Sequence, residues 1–131
     1  MIVDSSALMA IIQNEPECEA MLRRLSLTKQ RKISAATWVE IWMVVEGSDQ
    51  HPALKRRCDD LLERLNLDIV AIDADLAWGA RRAFLQYGRG RHPARLNFGD
   101  CFSYALAKRD NEPLLFKGDD FSQTDIQPAL A

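Results

Sequence analysis

Five carboxylates occupy unusual places in this sequence. Asp4 follows the apolar triplet "MIV" and precedes Ser5, Ser6 and a further apolar run. Glu40, in "ISAATWVEIWMVVEG", is the only charge between Ile33 and Val45. Asp100 follows Gly99 at the head of the apolar segment "DCFSYALA", and Asp119 and Asp120 follow "PLLFKG". Each has an ordinary explanation by itself. Asp4 and Asp100 suit helix caps, Glu40 suits a protonated acid or an arginine partner, and Gly-Asp-Asp suits a surface turn. Together they suggest another chemistry. Carboxylates gathered in one place repel and raise one another's pKa values, and a divalent cation relieves that repulsion. Mg²⁺ and Mn²⁺ prefer such oxygen donors. A site of this kind polarises a phosphodiester and lowers the pKa of a bound water. The intervals between positions 4, 40, 100 and 120 do not establish proximity, so the fold must supply it.

A basic stretch leads to the third acid. From Leu76 through Gly99 there is no Asp or Glu, whereas Arg81, Arg82, Arg89, Arg91, His92 and Arg95 all fall there. "QYGRGRHPARLNFGD" reads as a flexible, Gly-containing loop. It is either a solvated edge or a phosphate-binding one, with Arg89, Arg91 and Arg95 as the phosphate contacts. His92, alone in a loop, is expected to be a bystander. No Ser–His or His–Cys arrangement signals covalent catalysis, and no Gly-rich phosphate loop is present.

Elements that could position these residues follow from the apolar pattern. "MIV", "LDIVAI" and "PLLF" read as buried strands, with "RKIS" as a weaker fourth. Helical patterns lie between them. One begins at Pro16 and carries Met21, Leu22 and Leu25. Another spans "HPALKRRCDDLLERLN". A third, over 73–87, places Leu76, Ala80, Ala83, Phe84 and Tyr87 on one face. The segment around Glu40 is apolar nearly all round, with a stripe of Trp38, Ile41, Trp42 and Val45, and is expected to be largely buried. Alternating strands and helices predict an α/β fold with a mostly parallel sheet flanked by helices. In such sheets ligands gather at the C-terminal ends of the strands, and Asp4 stands at one such end.

The totals are those of one globular domain. The chain has 131 residues, 47% apolar and 27% charged, with a net charge of −2. No apolar run reaches the roughly 18 residues that span a bilayer, and no basic region precedes the first apolar stretch. Cys18, Cys58 and Cys101 are too few and too scattered for a disulfide framework or zinc site. A cytoplasmic protein is expected.

With these residues in view, the chain resembles the PIN-domain ribonucleases, specifically the VapC-type toxins of bacterial type II toxin–antitoxin pairs. The resemblance runs the length of the chain, as one PIN domain over 1–131. It rests on "MIVDSSAL", Glu40, "LNFGDCFSYALA" and "PLLFKGDDF". The third of these is the most specific. It implies that Asp4, Glu40 and Asp100 are catalytic metal-site acids, with Asp4 and Asp100 as direct ligands and Ser6 as a supporting neighbour. Many members carry D-x-D-F near the end. Here Gly118 takes the first Asp position, so Asp120 keeps the register and Asp119 is the substitute, leaving the fourth acid open between them. The resemblance further implies Mg²⁺ or Mn²⁺ as cofactor and structured RNA, tRNA or rRNA, as substrate. It also implies a VapB-like cognate antitoxin and a homodimer.

Two other readings compete. A receiver-like signalling module would use Asp73 as phospho-acceptor and Lys117 as the later lysine. Receivers carry an acidic pair near the first strand, which is lacking here, and they leave Glu40 and "GDCFSYALA" unexplained. A haloacid-dehalogenase-type phosphatase needs a second Asp two residues after the first, where Ser6 stands.

Overall fold

The structure is a computed structural model and describes residues 1–130. Four short strands are β1 (Ile2–Val3), β2 (Lys32–Ser34), β3 (Asp68–Val70) and β4 (Leu114–Leu115). Six helices are α1 (Ser5–Ile12), α2 (Cys18–Ser26), α3 (Ala35–Glu46), α4 (His51–Leu65), α5 (Ala74–Tyr87) and α6 (Phe98–Asp110), and a 3-10 turn covers Phe121–Gln123. The sheet runs β3-β2-β1-β4 with every pairing parallel. Ile2 pairs with Lys32 on one side and with Leu114 on the other, so β1 is central.

The strands are short, but their alternation divides the interior cleanly. Ile2 and Leu114 point into one core with Leu76, Ala80, Phe102 and Leu106 from α5 and α6. Val3, Ile33 and Leu115 point into the other, with Leu8, Leu25 and Ile41 from α1, α2 and α3. Side chains alternate faces along a strand, so two apolar residues in each of β1 and β4 are enough to seed both cores. This is the layered α/β architecture that the sequence pattern predicts.

Four expectations need correction. The helix carrying Glu40 is not largely buried. Thr37, Ile41 and Val45 form its buried face, while Val39, Met43 and Val44 are 49%, 71% and 46% exposed. Only one stripe of α3 finds neighbours, chiefly on α1, α4 and α6. The strand from "LDIVAI" is an exposed edge, with Ile69 and Ile72 turned to solvent. The second helix starts at Cys18, with Pro16 in the preceding turn, and Leu22 and Phe84 are exposed rather than core.

The fourth concerns the basic loop, which is pinned. Leu96 donates its N–H to the carbonyl of Tyr87 and accepts from the N–H of Arg89 at 2.9 and 3.0 Å. Ala94 and Leu96 are fully buried, and His92 packs edge-on against Tyr87. Two small apolar anchors thus overrule a composition that reads as mobile. Among the described residues no helix is long and apolar enough to cross a membrane, and the three cysteines are unpaired.

Candidate active site

Asp4 lies where β1 ends and α1 begins, at the C-terminal edge of the sheet. It is 1% exposed. Its Oδ2 accepts from the Ser6 backbone N–H at 3.0 Å and from Ser6 Oγ at 2.7 Å. Its Oδ1 accepts from Ser103 Oγ at 2.6 Å. The first pair makes Asp4 the N-cap of α1. The cap and site explanations of this residue are therefore compatible. Capping fixes one oxygen, and the bond from Ser103 fixes the other. Ser6 Oγ also accepts the Lys117 N–H at 3.0 Å, which ties the segment after β4 to the same point.

Glu40 reaches the site from the middle of α3. Its Oε1 accepts from Ser5 Oγ at 2.6 Å. Burial raises its carboxyl above the ordinary range, the Ser5 bond opposes this, and the negative charge of Asp4 adds to it. Gly99 presses against the other side of this carboxylate. A Cβ at that position would sit 2.3 Å from Glu40 Oε2. Gly99 therefore supplies a cradle that any larger residue would fill.

Asp100 sits in the first turn of α6 in a reciprocal capping arrangement with Asn97. Its Oδ2 accepts the Asn97 N–H at 3.0 Å, and its own N–H donates to Asn97 Oδ1 at 2.9 Å. Burial pushes its carboxyl up to about 7. The Asn97 bond pulls the other way, while the charges of Asp4, Glu40 and Asp120 push further upward. A helix-capping bond lowers a carboxyl pKa when nothing else acts, so burial and the neighbouring charges dominate here.

Asp120 is thus the member of the terminal pair whose charge Asp100 feels. It precedes the 3-10 turn. Asp119 is exposed, and its carbonyl accepts from Ser122 Oγ. Gly118 holds φ +102°, so the sharp turn that presents both acids uses glycine's left-handed freedom. Among the described residues none of Asp4, Glu40, Asp100, Asp119 and Asp120 has a salt-bridge partner.

The donor set fits a hard divalent cation. Its donors are carboxylate oxygens without a cationic partner, and the neighbouring charges raise Glu40 and Asp100, the combination that Mg²⁺ or Mn²⁺ relieves. Among the described residues no three acids, histidines or cysteines are drawn together closely enough to hold an ion as they stand. The acids share an electrostatic field without yet converging on a point. Glu40 also lines an open groove of about 680 Å³ between α3 and the start of α6, walled by Val39, Met43, Asn97 and Phe98. Of the five acids, Glu40 is the one that lines it.

The remaining candidates lie apart. Arg89, Arg91 and Arg95 are exposed on the pinned loop that feeds α6, and Arg91 stacks over Phe84 at 5.4 Å. Asp73 is the N-cap of α5, bonded by the Leu76 N–H at 2.8 Å and 3.9 Å from an Arg109 nitrogen. Lys117 pairs with Glu15 and Glu17. The two groups of the receiver-like reading are therefore engaged in separate structural contacts. Sequence reasoning gave no role to Ser5, Asn97, Gly99 or Ser103. Their only local signal is a small or polar residue within three positions of an acid in an apolar helix.

The fold is a parallel α/β domain in which Asp4, Glu40, Asp100 and Asp120 lie within one another's electrostatic field at one edge of the sheet. The PIN domain family model matches residues 1–127. Ribonuclease VapC42 of Mycobacterium tuberculosis is 45% identical over 130 residues, covering 98% of each chain. In structure, the chain is similar to M. tuberculosis VapC20, described as a sarcin-ricin loop cleaving toxin, with a TM-score of 0.73 at 16% identity over 95% of each chain. It is also similar to VapBC2 from Rickettsia felis bound to a promoter DNA fragment, again with a TM-score of 0.73 at 16% identity, over 98% of this chain and 93% of that one. The chain belongs to the PIN-domain family, among its VapC ribonucleases.

Proposed function

We propose that this chain is a Mg²⁺- or Mn²⁺-dependent endoribonuclease toxin that cuts structured RNA, tRNA or rRNA, at the carboxylate rim. The observation that carries this reading is Asp100. Its carboxyl is pushed up to about 7 by burial and by Asp4, Glu40 and Asp120, with no salt-bridging cation on any of them among the described residues. An enzyme that maintains such repulsion has a use for a cation. The names of the curated relatives support ribonuclease chemistry.

In this reading Asp4 and Asp100 would hold the cation, which would supply charge neutralisation and an activated water. Glu40, bonded to Ser5 and backed by Gly99, would position the cation or its water. Ser6 keeps the Asp4 carboxylate fixed through its N–H and hydroxyl. Asp120 completes the acidic set, with Asp119 as the alternative. Arg89, Arg91 and Arg95 bind RNA phosphates on the loop entering α6 and offset the acid cluster's repulsion of the RNA backbone.

A cytoplasmic nuclease site that opens on a groove at Glu40 calls for a cover. The toxin–antitoxin complexes among the structural neighbours support a VapB-like antitoxin as that cover. Exposed Met43, Val44, Trp78 and Phe98 offer apolar surface for a partner, including a second copy in a homodimer. The test is to incubate the purified, antitoxin-free chain with total RNA and Mg²⁺ and sequence the new 5′ ends. Discrete cuts within a few structured RNAs are expected, absent with Asp4→Asn and suppressed by the co-expressed small partner. Intact RNA with both Mg²⁺ and Mn²⁺ would overturn the reading.

A further inference from the structure

Tyrosines aside, the buried residues with polar side chains among those described are Asp4, Ser34, Thr37 and Ser103, each 0–1% exposed. They come from distant parts of the chain, yet they form one string. Ser103 Oγ donates to Asp4 Oδ1 at 2.6 Å. Thr37 Oγ1 lies 3.1 Å from Ser103 Oγ, and Ser34 Oγ lies 2.9 Å from Thr37 Oγ1. Ser34 Oγ accepts the Thr37 N–H at 3.0 Å.

The direction of the string can be deduced. A hydroxyl carries one proton to donate. Ser103 gives its proton to the carboxylate, so its oxygen accepts from Thr37. Thr37 has then spent its proton, so it accepts from Ser34. All three O–H dipoles run toward Asp4, and a chain of this kind polarises each successive bond.

The placement along the helices is as specific as the polarity. Thr37 precedes Glu40 by three residues on α3, and Ser103 follows Asp100 by three on α6. Residues three apart share a helix face. Each helix that brings an acid to the rim therefore brings a hydroxyl one turn away, and the two hydroxyls meet each other. Around Ser103 the α6 face is otherwise apolar, with Phe102, Ala105 and Leu106 buried. Replacing paired buried polar groups by apolar ones is often close to neutral for stability, so packing alone does not call for a string that ends on a carboxylate.

We propose that Ser103, Thr37 and Ser34 are positioning residues for the reaction. They lock the Asp4 carboxylate from its buried side and hold α3 and α6 in register, so that Glu40 and Asp100 face it. The proposal rests on the assignment of these three acids to the active site.

The test uses Thr37→Val, which removes a hydroxyl that does not touch Asp4, together with Ser103→Ala and Thr37→Ser. Three quantities are read on folded protein: the Asp4 side-chain carboxylate ¹³C resonance in metal-free buffer, the affinity for Mn²⁺ without RNA, and kcat and KM for RNA cleavage. Thr37→Val and Ser103→Ala should each move the Asp4 resonance, weaken Mn²⁺ binding by about 10- to 100-fold and lower kcat with little change in KM. Thr37→Ser, which keeps the hydroxyl without the methyl group, should restore all three. An unmoved Asp4 resonance in folded Thr37→Val, or a Thr37→Ser protein as impaired as Thr37→Val, would overturn the proposal. If the wild-type chain binds no Mn²⁺, the metal assignment fails, and the Asp4 resonance still decides the network. If Ser103→Ala does not fold, Thr37→Val decides alone.

Discussion

At the N-terminal edge of the sheet, Asp110 and Glu112 meet Lys32 and the ammonium of Met1. At the C-terminal edge, Asp4, Glu40 and Asp100 meet hydroxyls and backbone N–H groups, and Asp100 feels the charges of Asp4, Glu40 and Asp120. Burial acts upward on Asp110 and Glu112 at the first edge and on Glu40 and Asp100 at the second. At the first, the bonds from Arg109 and Lys32 to Asp110, and from Lys32 and Met1 to Glu112, outweigh it, and both acids fall below the usual range. At the second, Glu40 and Asp100 stay raised. One parallel sheet thus carries acids paired with cations at one edge and acids left without a cationic partner at the other. The difference lies in the cations supplied, since the residue types are the same.

The largest effect expected from breaking this contrast is on activity. Asp4→Asn or Asp100→Asn should abolish RNA cleavage while leaving the fold intact by circular dichroism, because each removes an oxygen ligand that supplies several kcal/mol of transition-state stabilisation. Lys32→Met, at the other edge, should leave kcat per folded molecule unchanged and lower stability by about 1 kcal/mol, since its pairs are only partly buried. Near-native cleavage by either Asn variant, or a Lys32→Met protein that is stable but inactive, would erase the distinction.

A second contrast is the response to pH in metal-free buffer. A carboxyl raised to about 7 in the folded state binds its proton more tightly there than in the unfolded chain. Its contribution to stability is present below the ordinary carboxylate range and is lost as pH climbs through about 7. Asp110 and Glu112 are lowered, so theirs is present above that range and lost as pH falls through their folded values. Asp100→Asn should therefore melt above wild type at about pH 8, with the gap closing toward about pH 5. Glu40→Gln should follow with a smaller gap. Lys32→Met should melt below wild type near neutrality, with the gap closing in acid. Scanning calorimetry across this range checks all three, and an Asp100→Asn protein that is less stable at alkaline pH contradicts the electrostatic account.

Much of the acidic edge was legible in the sequence, and the reasons are local. "MIVD" ends an apolar triplet on an acid, and Glu40 is conspicuous as a single charge among apolar neighbours. For Asp4 and Asp100 the pattern raised two explanations, helix cap and site acid, and the structure shows both caps in a form compatible with a site role. The caps fix where each side chain begins, and the fold determines what faces it. What stayed hidden depends on distant partners. Ser103 reaches Asp4 across 99 positions, and Thr37 reaches Ser103 across 66, so no local pattern announces either bond. Gly99 drew no role from its neighbours in sequence, although Glu40 fills the space where its side chain would be. The exposure of Val39 and Met43 was also illegible, because an apolar residue in a helix shows a preference without showing whether a neighbour exists to satisfy it.

Smaller effects sharpen the picture at the rim. Neutralising Arg89, Arg91 and Arg95 together should weaken RNA affinity and flatten its dependence on salt, because binding then neutralises fewer phosphates and releases fewer counterions. An unchanged salt slope would make the pinned loop a solvated edge. The smallest effect separates the terminal pair. Asp120→Asn should slow cleavage at low Mg²⁺, because its charge reaches Asp100, whereas Asp119→Asn should cleave at close to the native rate. The reverse order would move the fourth acid to Asp119.

The most direct measurement compares wild type with Asp4→Asn, each stripped with EDTA and then titrated with Mg²⁺ or Mn²⁺, following melting temperature and cleavage of a structured RNA together. A cation that binds only the folded chain stabilises it. The account predicts that stripped wild type is inactive, and that adding the cation raises its melting temperature and restores cleavage over the same concentration range. Asp4→Asn should show neither response. Full cleavage by the stripped wild-type protein, or an equal thermal shift in Asp4→Asn, would contradict the assignment of the C-terminal acids to a cation-dependent nuclease site.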